Sequence, residues 1–248
     1  MKWSPGFIFK SATLAALVAV FTFATAVNAA DNDVLVTAIG GNVKYSSGGG
    51  AFVPLPVGTH LRKGDVIKTG PSSHADLEVG HNVGVVQVTS ETTFGISELT
   101  ATETPADTVS TSEFDLTTGA IYAKINKLAK ASRYEIKTPK GIAGVRGTTI
   151  YLTANGCLTV GDGTAGIAYF GGGAFVLHDN QTICHGDNAP RPAPGDVLKD
   201  IIDSIWDATH HGIGRDLRPF VPPVDIFISP ILPKPPVSGG GQPPPENR

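Results

Sequence analysis

The sequence predicts an all-β domain of many short strands, followed by one amphipathic helix and a proline-rich tail. Charged residues make up only 17% of the 248 residues, whereas the chain holds 30 glycines and 19 prolines. Short runs of alternating apolar and polar residues recur between turn residues from about position 33 to 186. This pattern is typical of a β-sandwich, a barrel or a short solenoid, and it leaves the strand order open.

The alternating runs define the strands in chain order. They predict strands at residues 34–39, 42–46, 66–68, 75–79, 83–89, 93–98, 112–116, 120–124, 134–138, 148–153, 157–160, 165–170, 174–178 and 181–184. The intervening residues 99–112 are rich in Thr and Glu and contain Pro105, so we expect a solvated excursion there. Residues 31–188 are therefore expected to form the β domain.

The composition changes after this domain. Residues 189–218 are predicted to hold a linker and a helix that Asp196 caps and that ends near Thr209. The helix has an apolar stripe, which consists of Val197, Leu198, Ile201, Ile202, Ile205 and Trp206. The stripe could pack on the β domain, or it could dock on a partner or a membrane surface. Residues 219–248 contain ten prolines and several glycines, which predicts a disordered tail.

The N-terminus has the pattern of a signal peptide. Lys2 and Lys10 precede an uncharged apolar run at 11–26, and small residues follow at 27–30. The run is shorter than the roughly 20 residues of a membrane span, although an uncleaved anchor is the alternative. We therefore expect cleavage of residues 1–29, a periplasmic or secreted location, and no integral membrane segment afterwards.

The charge of the mature chain argues against nucleic acid as a partner. Residues 1–29 contain two lysines and no acidic residue, so their removal leaves 17 basic and 22 acidic residues and a net charge of -5. A mildly acidic chain without a basic stripe repels phosphate backbones.

The chain has two cysteines, Cys157 and Cys184. In an oxidising compartment an even pair favours one disulfide, and closure of this loop would add about 3 kcal/mol of stability by chain entropy. Two buried free thiols are the alternative. A zinc site would need two further ligands at close spacing, which the sequence does not offer.

Two segments carry a family resemblance. The first is GTHLRKGDVIKTGPSSHADL at 58–77, and the second is FDLTTG at 114–119 with YEIKTPKGIAGVRGT at 134–148. In order and spacing they resemble the FecR domain over roughly residues 34–177. The matching motif residues, which we expect to be structural, are Gly58, Leu61, Gly64, Asp65, Ile67, Thr69, Gly70, Ser73, Ala75, Leu77, Gly119, Thr138, Pro139, Gly141, Ala143, Arg146, Gly147 and Thr148.

The motif residues also have a physical interpretation of their own. Glycine at 64 and 70 permits turns with positive φ, and Asp65 can accept hydrogen bonds from turn amides. Proline at 139 keeps Thr138 out of the helical region. Arg146 lies between two glycines, so we expect it to donate to loop carbonyls or a carboxylate, with ligand contact as the alternative.

The resemblance implies an extracytoplasmic domain. The regulators that give the family its name place a FecR domain in the periplasm, where it receives a signal from an outer-membrane siderophore transporter, while a cytoplasmic segment handles a sigma factor. Because a signal-like segment stands at the N-terminus, this chain looks more like the stand-alone exported FecR-domain proteins.

No catalytic, metal or cofactor motif is evident in the sequence. The seven histidines at 60, 74, 81, 178, 185, 210 and 211 lack zinc-site spacing, and the Gly161-Asp162-Gly163 turn lacks the further acids that calcium requires. The triglycine at 171–173 precedes a strand, unlike a phosphate loop, which precedes a helix.

We therefore expect a non-enzymatic module that binds or scaffolds envelope proteins, for example by strand addition at a sheet edge. FecR-type signalling linked to siderophore transport is one alternative, and binding of an envelope polysaccharide is another.

Overall fold

The structure is a computed structural model that describes residues 29–30, 33–80, 82–103 and 107–210. The predicted signal peptide, apart from Ala29, and the proline-rich tail lie outside the described residues, and both stay predictions.

The described chain forms nineteen strands and one helix. In chain order the strands are β1 (Ala29–Ala30), β2 (Val34–Gly40), β3 (Val43–Ser46), β4 (Val53–Pro54), β5 (His60–Leu61), β6 (Val66–Thr69), β7 (His74–Val79), β8 (Gly84–Val88), β9 (Thr93–Glu103), β10 (Thr108–Thr118), β11 (Ala120–Ile125), β12 (Arg133–Thr138), β13 (Gly141–Val145), β14 (Thr149–Thr153), β15 (Leu158–Asp162), β16 (Ala165–Tyr169), β17 (Ala174–Leu177), β18 (Gln181–Ile183) and β19 (Arg191–Pro192). The helix α1 (Gly195–Thr209) follows them. The prediction of an all-β fold with one helix is confirmed.

The strands build two facing sheets. Sheet A has the order β17-β16-β13-β12-β10-β9-β6-β3-β4, with β1 paired to β9, and sheet B has the order β19-β18-β15-β14-β11-β8-β7-β2-β5. The chain passes repeatedly from one sheet to the other, usually after two strands, so that both sheets grow in the same direction. Neighbouring strands are antiparallel except β10 and β12, which are parallel because the chain crosses to sheet B for β11 between them.

One hydrophobic core fills the space between the sheets. Its largest buried side chains include Phe94, Phe114 and Tyr134, which lie on the adjacent strands β9, β10 and β12. Their ring centroids are 5.1 Å and 5.2 Å apart in that order, close enough for favourable aromatic contacts.

The prediction of a solvated excursion at 99–112 is wrong. β9 continues to Glu103, β10 begins at Thr108, and the two strands pair along this whole length. Ala101 and Ser110 are buried there. The side chains that face inward here are small, so the segment has little apolar content although one side of it is buried. The prediction relied on that composition and therefore failed.

The helix packs on the outer face of sheet B. Ile201, Ile205 and Ala208 are buried, and α1 contacts β8, β11, β14 and β15. This observation decides between the two positions considered for the apolar stripe, although Ile202 is left 59% exposed.

The N-terminus of α1 differs from the prediction. Asp196 was expected to be the N-cap, but the cap residue is Pro194, and Asp196 lies in the first turn, where its charge complements the helix dipole. Within the described part of the chain, no helix is long and apolar enough to cross a membrane.

A disulfide joins Cys157 and Cys184, as the pairing prediction states. The cysteines lie directly beyond Leu158 and Ile183, which are partners in the antiparallel β15–β18 ladder. The bond therefore fastens one end of this strand pair and connects residues 27 positions apart.

Candidate functional site: a groove on the outer face of sheet A

The predicted motif residues form turns and core rather than one cluster. Leu61, Ile67, Ala75, Leu77 and Ala143 are buried in the core. Positive φ angles occur at the turn glycines Gly58, Gly64, Gly119 and Gly147, whereas the prediction of a positive φ at Gly70 is wrong. Gly119 also requires a residue without a side chain, since a Cβ there would lie 2.1 Å from Thr92 Oγ1. Asp65 is buried and accepts a hydrogen bond at 2.9 Å from the backbone N–H of Arg62, which closes the turn before β6.

The hydroxyls of four motif residues, Thr69, Ser73, Thr138 and Thr148, form hydrogen bonds that hold turns in place. Two of them lie in the first segment. Thr69 accepts a hydrogen bond from the N–H of Thr92 at 2.9 Å, Ser73 accepts one from Asn42, and Gly70 donates to the Asn42 carbonyl.

The other two hydroxyls act around the second segment. Thr138 accepts hydrogen bonds from the N–H groups of Lys140 and Gly141 around Pro139, and Thr148 donates to the Thr164 carbonyl at 2.6 Å. The motif thus fixes loops between the sheets.

Arg146 lies in the turn after β13 and reaches the loop before β12. Its Nη2 donates to the carbonyl oxygens of Ala129 and Lys130, the former at 3.1 Å. The guanidinium therefore ties the turn after β13 to the loop before β12. The two acceptor residues lie 17 and 16 positions before Arg146 in the sequence.

A groove of about 370 Å³ opens on the outer face of sheet A. Its floor is Gly95 in β9, and its lining consists of Val66, Gly95, Asp115, Leu116, Thr117, Lys137, Thr138, Pro139 and Phe170. Val66, Gly95, Asp115 and Lys137 are successive partners across β6, β9, β10 and β12. Because Gly95 has no side chain, the row is interrupted, and this interruption creates the groove. We call it the Gly95 groove.

The rim of the groove combines charged and aromatic groups. Asp115 accepts a hydrogen bond from the Ser97 hydroxyl, and no carboxylate among the described residues lies within ion-pair distance of Lys137. Phe170 is 49% exposed. Asp115 and Lys137 also line a smaller groove of about 180 Å³ on the same face.

A row of like charges borders this surface. Glu98, Glu113 and Glu135 are successive partners across β9, β10 and β12. Arg133 contacts the carboxylates of Glu113 and Glu135, the latter at 3.9 Å, and Lys63 contacts Glu98 at 2.5 Å. These cations offset the repulsion expected between directly opposite like charges.

The lining combines charged, polar and apolar side chains. It contains one carboxylate, one ammonium group and the hydroxyls of Thr117 and Thr138, but neither histidine nor cysteine. In the described part of the chain, no group of three or more His, Cys, Asp or Glu side chains could hold a metal ion.

Sequence reasoning missed this groove. A lone glycine in a predicted strand, such as Gly95 between Phe94 and Ile96, is a known signal of close backbone approach. The sequence does not predict that Phe170 lines the groove, because this residue follows the last residue of β16, which is distant in sequence from the other lining residues.

Comparison with known families gives one match. The two facing sheets, the helix on sheet B and the groove on sheet A define an all-β domain. Residues 65–165 match the family described as FecR protein, so the chain carries a FecR domain. The match runs from the turn before β6 to the first residue of β16, and it includes most of the groove lining. No curated protein and no solved structure matches the chain significantly.

The FecR domain and the disulfide together indicate an extracytoplasmic location. Disulfides persist in oxidising compartments and are rare in the cytosol.

Proposed function

We propose that the protein is an exported, non-enzymatic module of the cell envelope that binds a segment of another envelope protein in the Gly95 groove. The observation that supports this proposal is an asymmetry between the two outer faces. Helix α1 covers the outer face of sheet B, whereas the outer face of sheet A opens into a groove inside the FecR match.

The chemistry of the rim favours a protein partner. Phe170 offers an exposed aromatic anchor, and Lys137 and Asp115 offer one charge of each sign. Aromatic anchors with polar neighbours are typical of the few residues that dominate the affinity of protein interfaces. A shallow open groove also suits an extended segment, which can lay its side chains along the row from Val66 to Lys137.

Gly95→Val tests this proposal by filling the groove from its floor. A Cβ at Gly95 would lie 3.7 Å from both Asp115 Cβ and Val66 Cγ2, an ordinary contact, and valine suits a strand. Gly144→Val is the matched control, because Gly144 is also a strand glycine of sheet A and a Cβ there would meet nothing within 4 Å.

The measurement is chemical crosslinking in intact cells that make the protein, followed by identification of the crosslinked partner. We expect a specific envelope protein with the native chain and with Gly144→Val, and its loss with Gly95→Val. Equal capture by both variants, with both folded as judged by circular dichroism, would refute the proposed site.

FecR-type signalling is a second candidate, which the family match favours. In this case the partner belongs to a sigma-dependent pathway, and a reporter gene of that pathway should lose its response with Gly95→Val but not with Gly144→Val. An unchanged reporter response with Gly95→Val would refute a signalling role for the groove, and the binding proposal would then stand alone.

A further inference from the structure

The strand β17 ends sheet A and has an open edge. Among the described strands it pairs only with β16. Phe175 and Leu177 face inward, whereas Ala174 is exposed and Val176 is 60% exposed. Open edges present unpaired N–H and C=O groups to which another strand can bond.

The other strands that end the two sheet orders are protected. β4 contains Pro54, and β19 consists of Arg191 and Pro192. His60 in β5 contacts the Asp33 carboxylate at 2.5 Å. Proline and charge at an edge are common ways to prevent pairing with another chain. β17 has neither, so among the described strands that end the two sheet orders its edge is open for association.

The ladder between β16 and β17 fixes which groups are free. Tyr169 N–H donates to the Gly173 carbonyl at 2.9 Å, and bonded pairs alternate along an antiparallel ladder. Phe175 and Leu177 therefore bond to β16. The N–H and C=O groups of Ala174 and Val176 point away from the sheet, which gives two free donors and two free acceptors.

We propose that β17 pairs with β17 of a second copy of this chain, in antiparallel orientation about a two-fold axis at Phe175. In this register Ala174 lies opposite Val176 of the second copy, and the reverse holds as well. Each such pair exchanges two hydrogen bonds, so all four free groups on each copy are satisfied. Sheet A then continues from one copy into the other.

The flanking residues are compatible with this arrangement. In the two-fold register, His178 and Asp179 of one copy lie beside Gly172 and Gly171 of the other. A Cβ at either glycine would meet nothing within 4 Å, so this loop leaves room for the two polar side chains. No like charges meet, because β17 carries no charged residue.

Sedimentation of the purified full chain tests the proposal. We expect a monomer at about 1 µM and a dimer at about 100 µM, since an interface below about 1,200 Å² is weak. Val176→Lys should stay monomeric throughout this range, because lysine at an edge opposes strand pairing. Val57→Lys is the matched control, since Val57 is 59% exposed but lies away from β17. It should dimerise like the native chain.

Cysteine pairs test the register. Ala174→Cys mixed with Val176→Cys should form covalent dimers on mild oxidation, because bonded partners have a Cα distance of about 5.5 Å. Each variant alone should form fewer.

Three results would overturn the proposal. These are a native chain that stays monomeric at about 100 µM, a Val176→Lys chain that dimerises normally, and equal crosslinking by the single variants. Gly95→Val should still dimerise, so a failure here is distinguishable from a failure of the proposed groove.

Discussion

Tyr134 is buried without a partner for its hydroxyl. Its side chain is 2% exposed, and the hydroxyl makes no hydrogen bond to any described residue. An unpaired buried hydroxyl costs about 1–3 kcal/mol, while the ring gains from its contact with Phe114. The ring is therefore the stabilising part of this residue.

Tyr134→Phe is expected to raise the free energy of unfolding by about 1 kcal/mol, because it keeps the ring and removes the unpaired group. Urea denaturation with an unchanged m value would measure the gain. Tyr169→Phe is the control and should lower the stability, since the Tyr169 hydroxyl donates to the Gly156 carbonyl at 2.8 Å. A loss of stability in Tyr134→Phe would mean that the hydroxyl has a bonding partner, such as a buried water.

The motif residues show what sequence can and cannot reveal at this scale. Positive φ at Gly64 and Gly119 follows from the residue type and the turn position. The bond between Thr69 and the N–H of Thr92 spans 23 residues, and nothing local in the sequence predicts it. Such roles depend on the crossing of the chain between sheets.

At the scale of elements, α1 depends on a narrow strip of contacts. Ile201 is 1% exposed, and its Cγ2 lies 3.4 Å from the position that a Cβ on Gly161 would take. Beneath the helix, Tyr122 and Tyr151 stack with ring centroids 4.7 Å apart, and Tyr122 lies beside Ser204 of α1. Ile201 therefore lies within ordinary van der Waals distance of the position that a Cβ at residue 161 would take.

Ile201→Asp should release α1 from sheet B, because it places a charge in an apolar contact. We expect a loss of about 2–4 kcal/mol in stability and greater exposure of the two tyrosines. Differential scanning calorimetry and solvent quenching of tyrosine fluorescence would measure these effects. Ile202→Asp is the control, since Ile202 is 59% exposed and should be neutral within about 0.5 kcal/mol. Equal effects of the two changes would contradict the packing of the helix.

Strands differed in how well they could be predicted. Runs of β-branched residues such as 84–88 in β8 gave clear strands, whereas β13 was missed because it reads GIAGV, with two glycines in five residues. Its pairing with both β12 and β16 maintains it as a strand despite the low intrinsic propensity of glycine. The groove was missed for a related reason, since it arises from an absent side chain at Gly95.

At the scale of the whole molecule, the sheet order follows from the alternation of the chain between two layers, which the sequence does not predict. Because the chain alternates between two layers, β6 pairs with β9 while β7 and β8 lie in the other sheet. Periodicity identifies strands but not the layer to which each belongs, so the all-β class could be predicted and the topology could not.

Buried and half-buried tyrosines make the stability of the whole molecule sensitive to alkaline pH. Burial raises the pKa of Tyr122 to about 12, with the nearby Tyr151 and Asp200 adding to this and the Ser204 side chain opposing it. Burial likewise raises the pKa of Tyr169 to about 12, with a further contribution from Asp187. The pKa of Tyr134 is also raised by burial.

The direction of the pH effect follows from proton counts. An unfolded tyrosine releases its proton near pH 10. Between about pH 10 and pH 12 the folded chain still holds protons that the unfolded chain has lost, so a rise in pH favours unfolding. Below about pH 9 both states are protonated, and these groups contribute no pH dependence.

We therefore expect the free energy of unfolding to be insensitive to tyrosine ionisation up to about pH 9 and to fall from about pH 10 onward. Tyr122→Phe should make this fall less steep, because phenylalanine has no proton to release. Urea denaturation at a series of pH values, compared between the native chain and Tyr122→Phe, would measure the slopes. Identical slopes would show that the Tyr122 hydroxyl ionises as readily beneath α1 as in the unfolded chain, which would contradict its burial by the helix.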